Sequence, residues 1–182
     1  MSRVFAFILL IVLAPIFLVA TVIIFFSDGM PLFFVQKRIG LNSKIFYLFK
    51  FRTMRRNTPD IATDLLLDPR SYYINFGQYL RKYSIDEIPQ LINIIKGEML
   101  FIGPRPALYN QKELILKRKL KSVDQIKPGI TGWAQVNGRD NISDDKKVEL
   151  DFFYLKNKSL FLQFKIIYLT ILKVVKTENV NI

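Results

Sequence analysis

The N-terminal part of the chain is a long run of apolar positions. Residues 4–26 carry no charge, and Pro15 and Thr21 are the main interruptions in these 23 residues. At about 1.5 Å per residue a helix of this length measures roughly 35 Å, enough to cross a hydrocarbon core of about 30 Å. The pattern predicts a membrane helix that the mature protein keeps, because only Met1-Ser2-Arg3 precede the apolar run and the run is longer than the apolar region of a typical signal peptide.

Pro15 leaves the topology of this segment open. Proline lacks a backbone donor and clashes with the carbonyl of Ile11, so it divides the run into arms of 11 and 12 residues, each about one leaflet long. A re-entrant hairpin would keep Arg3 on the side of the basic remainder, whereas a spanning helix would place Arg3 on the far side. In both topologies the Lys and Arg excess after Phe26 predicts that the remainder faces the cytoplasm.

Later patterns predict short strands and several helices. Residues 44–54 alternate, with Lys50 and Arg52 on the same face of the predicted strand. Helices are expected over residues 75–82, 88–95, 109–121, 143–156 and 159–176. The last helix is apolar and its charges are all Lys, which fits a core helix and a membrane-surface helix equally well.

Composition restricts the chemistry. The 182 residues include neither Cys nor His, which excludes thiol catalysis, disulfides, Ser-His-Asp hydrolysis and nearly all zinc catalysis. Any reaction must therefore use carboxylates, Lys, Arg, Tyr, hydroxyls, backbone amides or a hard metal ion. The 27 basic and 15 acidic residues give a net charge of +12, which predicts an anionic partner.

The adjacent acids Asp86 and Glu87 are the strongest candidate for such chemistry. Considered alone they are more typical of a capping box, since Glu87 follows Ser84 by three residues. Pro89 weakens that interpretation, because in a helix capped at Ser84 its missing N–H should have bonded the Ile85 carbonyl. The helix is therefore expected to start nearer Asp86 or to have an irregular first turn. An acid pair there offers a nucleophile and a metal ligand.

Isolated basic residues accompany this pair along the chain. Arg105 stands between Pro104 and Pro106, so its backbone is fixed before it meets a phosphate group. Residues 128–139 combine three glycines with one Trp and one Arg, which fits a turn and strand or a nucleotide-binding loop, although no established phosphate-loop pattern is present.

Five ordered blocks together resemble the bacterial sugar transferases, the monotopic phosphoglycosyl transferases that start surface-glycan assembly. The blocks are Lys-Phe-Arg-Thr-Met at 50–54, Ser-Ile-Asp-Glu-Ile-Pro-Gln-Leu at 84–91, Gly-Glu-Met at 97–99, Phe-Ile-Gly-Pro-Arg-Pro at 101–106, and residues 128–139. The resemblance covers nearly the whole chain. Where such proteins break their membrane helix at a Ser-Pro pair, this chain has Ala14-Pro15.

The resemblance implies a reaction and a site. A phosphosugar would move from a UDP-sugar to polyprenyl (undecaprenyl) phosphate, releasing UMP, with Asp86 as nucleophile and Glu87 as its partner on Mg²⁺. The candidate substrate-binding residues are Lys50, Arg52, Arg81, Arg105 and Arg139 for phosphate, and Gly132, Gln135, Asn137, Asp151 and Tyr154 for the nucleotide sugar. The sugar, the glycan and the oligomeric state are not predicted.

The expected architecture is a small membrane-associated α+β domain with few short strands, several interfacial amphipathic helices and the N-terminal hydrophobic helix. Residues 1–27 would form the membrane element and residues 28–182 the catalytic domain on the cytoplasmic face of the inner membrane. Two alternatives remain. One is a membrane-anchored basic module that binds acidic lipid or nucleic acid without catalysis, and the other is transfer of the sugar alone, which would release UDP. Nucleic acid is not expected, because Lys and Arg are not densely clustered.

Overall fold

A computed structural model describes residues 1–59, 66–138 and 142–176 of the chain, without the side chain of Lys176. Within these residues the fold is α+β, as expected, with eight α-helices and two small two-stranded sheets. The helices are α1 (Ser2–Val12), α2 (Ala14–Asp28), α3 (Gly77–Lys82), α4 (Gln90–Lys96), α5 (Lys112–Leu120), α6 (Trp133–Val136), α7 (Asp144–Asn157) and α8 (Leu160–Lys176). The strands are β1 (Phe33–Ile39), β2 (Ile45–Phe51), β3 (Leu100–Ile102) and β4 (Gly129–Thr131).

The hydrophobic run at the N-terminus forms two helices rather than one. α1 and α2 meet at Leu13 with a bend of 62°, and Pro15 lies in the first turn of α2, where its missing N–H is tolerated. By length and composition none of the described helices would cross a bilayer by itself, whereas α1 and α2 together would be long and apolar enough.

Both arms of this bent pair pack against the rest of the protein. Ala6 of α1 is fully buried in one cluster with Leu91 and Ile94 of α4, and Ile24 of α2 is fully buried in a second cluster with Phe51 of β2. The N-terminal helices therefore share their buried side chains with the domain that follows them.

β1 and β2 form an antiparallel hairpin in which Gln36 pairs with Leu48 and Arg38 with Phe46. The predicted alternation is confirmed: Phe46 and Leu48 are buried, whereas Ile45 and Tyr47 are exposed. β2 ends at Phe51, three residues before the expected limit.

β3 and β4 pair in parallel, and their glycines bring two loops into backbone contact. A Cβ added to Gly129 would lie 2.1 Å from the amide nitrogen of Gly103, and one on Gly132 would lie 2.1 Å from the Gly103 carbonyl oxygen. Only glycine allows this approach, which places the loop after β3 directly on the start of β4.

The two C-terminal helices differ in how they begin and what they cover. α7 begins as predicted, since the Ser143 hydroxyl accepts a hydrogen bond from the Lys146 amide. α8 buries Leu162 and Ile166 against α6 and β4, and the Thr170 and Thr131 hydroxyls lie 2.7 Å apart. The opposite side of α8 is exposed and apolar. One side of the helix is therefore core, and the membrane-surface alternative stays a prediction.

Candidate active site

The acid pair lies at an irregular helix start. Residues Ile85–Glu87 form one 3-10 turn and α4 begins only at Gln90, as the missing donor of Pro89 led us to expect. Ser84 has a left-handed backbone (φ 55°) and its side chain makes no cap hydrogen bond, so the capping box does not form. Asp86 and Glu87 are instead buried, with 4% and 8% of their surfaces exposed.

Lys50 of β2 lies directly on this buried pair. Its Nζ is 2.7 Å from Glu87 Oε1 and 3.6 Å from Asp86 Oδ2. Arg105 Nη1 approaches the same Glu87 oxygen at 3.4 Å, and the Arg105 side chain keeps 30% of its surface exposed. Two acids and two cations from three segments thus share one partly desolvated site.

Burial and charge act in opposite directions on these groups. Burial raises the pKa of Asp86, and the neighbouring Glu87 raises it further, whereas Lys50, Arg81 and Arg105 oppose the shift. Burial likewise lowers the pKa of Lys50, and the two carboxylates oppose that change. A carboxylate that is poorly solvated yet surrounded by cations is a reactive nucleophile toward phosphorus when its partners hold it ionised.

Arg81 contributes to this field from α3. Its Nη1 lies 3.2 Å from the Tyr73 hydroxyl and 3.8 Å from Met54 Sδ, and its guanidinium is 5.6 Å from the centre of the Tyr73 ring. These contacts hold the charge beside the acid pair.

The loop that carries Arg105 is held by its carbonyl groups. The Pro104 carbonyl accepts a hydrogen bond from the Gly129 amide at 3.0 Å, and the Pro106 carbonyl accepts one from Arg38 Nη1 at 2.9 Å. The Arg105 carbonyl accepts one from Arg118 Nη1 at 2.8 Å. Arg105 is thus presented from a loop fixed to β1, β4 and α5.

Arg52, predicted to bind substrate phosphate, is not brought to this site. It lies just beyond the end of β2, and its guanidinium pairs with the carboxylate of Asp28 and donates to the carbonyls of Asp28 and Gly29. Arg52 therefore ties the end of α2 to the end of β2, and the structure gives it no contact with the acid pair.

Asp151 and Tyr154 are buried side chains and do not line an open pocket. Asp151 is 1% exposed and accepts hydrogen bonds from Arg118 Nε and Nη2 at 3.0 and 2.7 Å. The Tyr154 hydroxyl is 3.5 Å from the Ile102 carbonyl, and the residue is 2% exposed. These contacts support the loop after β3 and the end of that strand, and the expected contact of both residues with a nucleotide sugar stays a prediction.

The glycine-rich stretch contributes one candidate polar group. Among the described residues, neither side-chain nitrogen nor oxygen of Gln135 has a hydrogen-bond partner, although both atoms are buried. Gly132 precedes α6, and Asn137 uses its amide on the Trp133 carbonyl at 2.7 Å. Gln135 remains a candidate for the nucleotide sugar, whereas Arg139 lies outside the described residues.

The donor set suits a hard cation that the substrate helps to bind. In the part of the chain that the structure describes, no group of three acidic residues could hold a metal ion alone. Asp86 and Glu87 supply two carboxylates, and Mg²⁺ is commonly bound by one or two carboxylates together with substrate phosphates and water. The residues present therefore fit Mg²⁺ shared with a diphosphate.

Comparison with known proteins decides the family. A family profile described as bacterial sugar transferase matches residues 1–177. The chain belongs to the bacterial sugar transferase family. It is a transferase, and the resemblance inferred from the five sequence blocks is confirmed.

Three relatives illustrate the range of this family. An uncharacterized sugar transferase, EpsL, of Bacillus subtilis is 46% identical over 153 residues, which is 84% of this chain and 74% of EpsL. The UDP-glucose:undecaprenyl-phosphate glucose-1-phosphate transferase of Xanthomonas campestris is 37% identical over 95% of this chain and 37% of its own length. The undecaprenyl-phosphate galactose phosphotransferase of Salmonella typhimurium is 33% identical over 84% of this chain and 35% of its own length.

Sequence reasoning missed two residues that organise the site, Asn93 and Arg118. Asn93 is fully buried and bonds the open edge of β2, accepting from the Phe49 amide at 3.1 Å and donating to the Tyr47 carbonyl at 2.7 Å. For Arg118 a signal was present, because it follows Leu114 by four residues and therefore lies on the buried face of α5.

Proposed function

We propose that this chain transfers a phosphosugar from a UDP-sugar to polyprenyl phosphate through a covalent intermediate on Asp86, releasing UMP. The observation that carries the proposal is the buried pair Asp86-Glu87 with Lys50 and Arg105 in ion-pair contact with it. The names of the Xanthomonas and Salmonella relatives, both undecaprenyl-phosphate sugar phosphotransferases, support the same overall reaction.

In the first step the Asp86 carboxylate attacks the phosphorus that carries the sugar. A bond forms from Asp86 Oδ to this phosphorus, the bridging oxygen–phosphorus bond breaks, and the bridging oxygen leaves with UMP. UMP is a good leaving group because its phosphate has a low pKa, so the absence of His is no obstacle. In the second step an oxygen of polyprenyl phosphate attacks the same phosphorus, and the Asp86 carboxylate leaves.

The cations offset the repulsion that this chemistry meets. A carboxylate and a diphosphate repel each other strongly in a partly dried site. Lys50 holds the acid pair ionised, and Arg105, which is partly exposed, extends a planar fork that grips two phosphate oxygens. Because both side chains are already in place, the site needs little reorganisation as negative charge shifts during phosphoryl transfer.

Mg²⁺ is the cofactor that we assign to this site, where Glu87 and Asp86 would hold it. When bound it withdraws charge from the phosphoryl oxygens as a Lewis acid. Lys50, Arg81 and Arg105 supply the remaining positive charge from the protein.

The membrane side of the proposal follows from the exposed apolar surface. Phe7 and Ile11 of α1 and Val19 and Phe26 of α2 are all more than half exposed. A second apolar surface lies along the exposed side of α8, with Phe161, Phe164, Tyr168, Ile171 and Val175 at helical spacing. A hydrocarbon environment removes this surface from water.

The same packing supports a re-entrant helix pair. A Cβ on Gly97 would lie 2.1 Å from Arg3 Nη2, so the Arg3 guanidinium lies at the C-terminal end of α4. The start of α1 and the end of α2, where Asp28 pairs with Arg52, both contact the domain on one side of the bend. We place the domain on the cytoplasmic face of the inner membrane, where UDP-sugars and polyprenyl phosphate meet.

A panel of UDP-sugars tests the proposal. Full-length protein in lipid nanodiscs should release UMP, and not UDP, from at least one donor when polyprenyl phosphate and Mg²⁺ are present. Without the lipid acceptor, intact-mass analysis should show one phosphosugar added, and peptide mapping should place it on Asp86. Asp86→Asn should abolish both signals. Release of UDP, an adduct on another residue, or turnover by Asp86→Asn would contradict the proposal.

A further inference from the structure

We propose that Arg118 is a positioning residue that aims Arg105 at the substrate phosphate, and that Asp151 holds Arg118 in place. The inference rests on the proposed function, because it concerns how Arg105 meets a diphosphate. It also gives a different role to Asp151, which the sequence predicted as a contact to the nucleotide sugar.

The Arg118 guanidinium donates hydrogen bonds to two acceptors, the Asp151 carboxylate and the Arg105 carbonyl. Arg118 is 9% exposed and spans the space between α7 and the Arg105 loop. Its Nε and Nη2 both donate to one carboxylate oxygen of Asp151, and its Nη1 donates to the carbonyl of Arg105. One planar group thus joins a fully buried acid to the backbone of the residue that faces the acid pair.

The loop of residues 104–106 depends on hydrogen-bond donors from other segments because of its composition. Pro104 and Pro106 have no N–H, so the loop has few donors of its own and is held mainly by its carbonyl groups. The hydrogen bond to the Arg105 carbonyl sets the plane of the peptide between Arg105 and Pro106. Together with the restriction that Pro106 places on the backbone of Arg105, this plane limits the directions of the Arg105 Cα–Cβ bond and therefore the positions that its guanidinium can reach.

The buried carboxylate of Asp151 restricts the position of the Arg118 guanidinium. Burial raises the pKa of Asp151, and the adjacent Arg118 is the main group that opposes this shift. An uncompensated charge at either position would be costly, so each partner keeps the other in place. Lysine at position 118 would keep a positive charge for Asp151 but has no second arm for the Arg105 carbonyl.

A double-mutant cycle tests this role in the full-length protein. We compare Arg118→Lys, Arg105→Lys and their combination by kcat/KM for UMP release, with Lys119→Gln, an exposed position on the same helix, as control. If Arg118 acts through Arg105, Arg118→Lys should lower kcat/KM at least tenfold in the native background and less than about twofold when Arg105 is already Lys. Lys119→Gln should leave activity unchanged.

The outcomes separate positioning from general support of the fold. Equal losses in both backgrounds, or no loss in either, would overturn the inference while leaving the proposed function intact. If Arg118→Lys fails to fold by circular dichroism, the charge-neutral pair Arg118→Gln with Asp151→Asn enters the same cycle in its place. If the native protein releases no UMP with any donor, the proposed function fails, and the cycle is measured by calorimetry with inorganic pyrophosphate, where the same coupling or its absence decides the role of Arg118.

Discussion

Lys50 and Glu87 are 37 residues apart in the chain, yet their side chains meet at 2.7 Å. The contact joins β2 of the hairpin to the 3-10 turn before α4, and it brings Asp86 to 3.6 Å from the same Lys50 nitrogen. Lys50 therefore helps, together with Arg105, to make two adjacent buried acids compatible with folding. A pair of carboxylates at this depth without a cation would be protonated or solvent-exposed.

Replacing Lys50 by Met should remove this compensation while keeping the apolar part of the side chain. We expect kcat for UMP release to fall about 10- to 150-fold, which corresponds to the loss of about 1.5–3 kcal/mol for a hydrogen bond between charged groups. Lys44→Met is the matched control, because Lys44 is exposed and directly precedes the same strand. A Lys50→Met protein with native kcat would contradict the role assigned to Lys50.

Part of the candidate site was predictable from the sequence. Local chemistry made Asp86, Glu87 and the Pro-flanked Arg105 candidates, and the resemblance in five blocks favoured a catalytic role over a capping box. Pro89 correctly indicated an irregular turn. Arg52 shows the limit of a periodic pattern: it shares the spacing of Lys50, but β2 ends at Phe51 and Arg52 turns toward Asp28.

The supporting contacts were not predictable, since they depend on tertiary distance. Arg118 and Asp151 are 33 residues apart and lie on two helices whose packing no local pattern specifies. Asn93 likewise substitutes for a missing strand at the edge of β2, a role that exists only once α4 has packed there. Pro15 indicated that the apolar run is divided, and the bend lies at Leu13. The return of α1 onto α4 was not predictable, because it depends on Ala6, a residue with no signal of its own.

Removing divalent metal should stop the reaction without unfolding the protein. Chelation with EDTA should abolish UMP release, and added Mg²⁺ should restore it, because the attacked diphosphate needs further charge neutralisation. The thermal midpoint should stay the same, since Lys50 and Arg105 already offset the charges of the acid pair in the free protein. A large fall in the midpoint on chelation would indicate a structural metal instead.

Arg105→Lys tests whether phosphate binding needs the planar guanidinium of Arg105 or only its positive charge. The guanidinium grips two phosphate oxygens at once, which the point charge of Lys does not reproduce. We expect a loss of about 1.5–3 kcal/mol in transition-state stabilisation, measured as kcat/KM for the UDP-sugar. Arg56→Lys, at an exposed position, should have little effect. Native kcat/KM in Arg105→Lys would show that Arg105 is an ordinary surface charge without a specific role in binding phosphate.

Asn93→Leu should destabilise the protein although Leu has the same branching as Asn and is apolar. The change leaves the Phe49 amide and the Tyr47 carbonyl without the Asn93 partner, and each buried backbone group left unsatisfied costs about 1–3 kcal/mol. The expected result is a clear fall in the thermal midpoint together with reduced activity, because β2 also carries Lys50. Asn157→Leu, exposed at the end of α7, is the control. An unchanged midpoint for Asn93→Leu would show that the edge of β2 does not need this amide.

The N-terminal topology can be read with single cysteines, because the native chain has none. If α1 and α2 re-enter the membrane, cysteines placed at Ser2 and at Ser43 should both react with an impermeant maleimide from the cytoplasmic side only. Ser43 reports the domain, and Ser2 reports the start of α1, beside Arg3 at the end of α4.

Pro15→Leu should shift the topology from re-entrant toward spanning, because it restores a backbone donor and removes the clash with the carbonyl of Ile11. A straight helix would be long enough to span, and Ser2→Cys should become partly reactive from the periplasmic side while Ser43→Cys does not. The shift should be incomplete, because straightening the helix also removes Ala6 from the cluster that it shares with Leu91. Periplasmic labelling at position 2 with Pro15 in place would show that the native helix spans the membrane and would overturn the re-entrant topology.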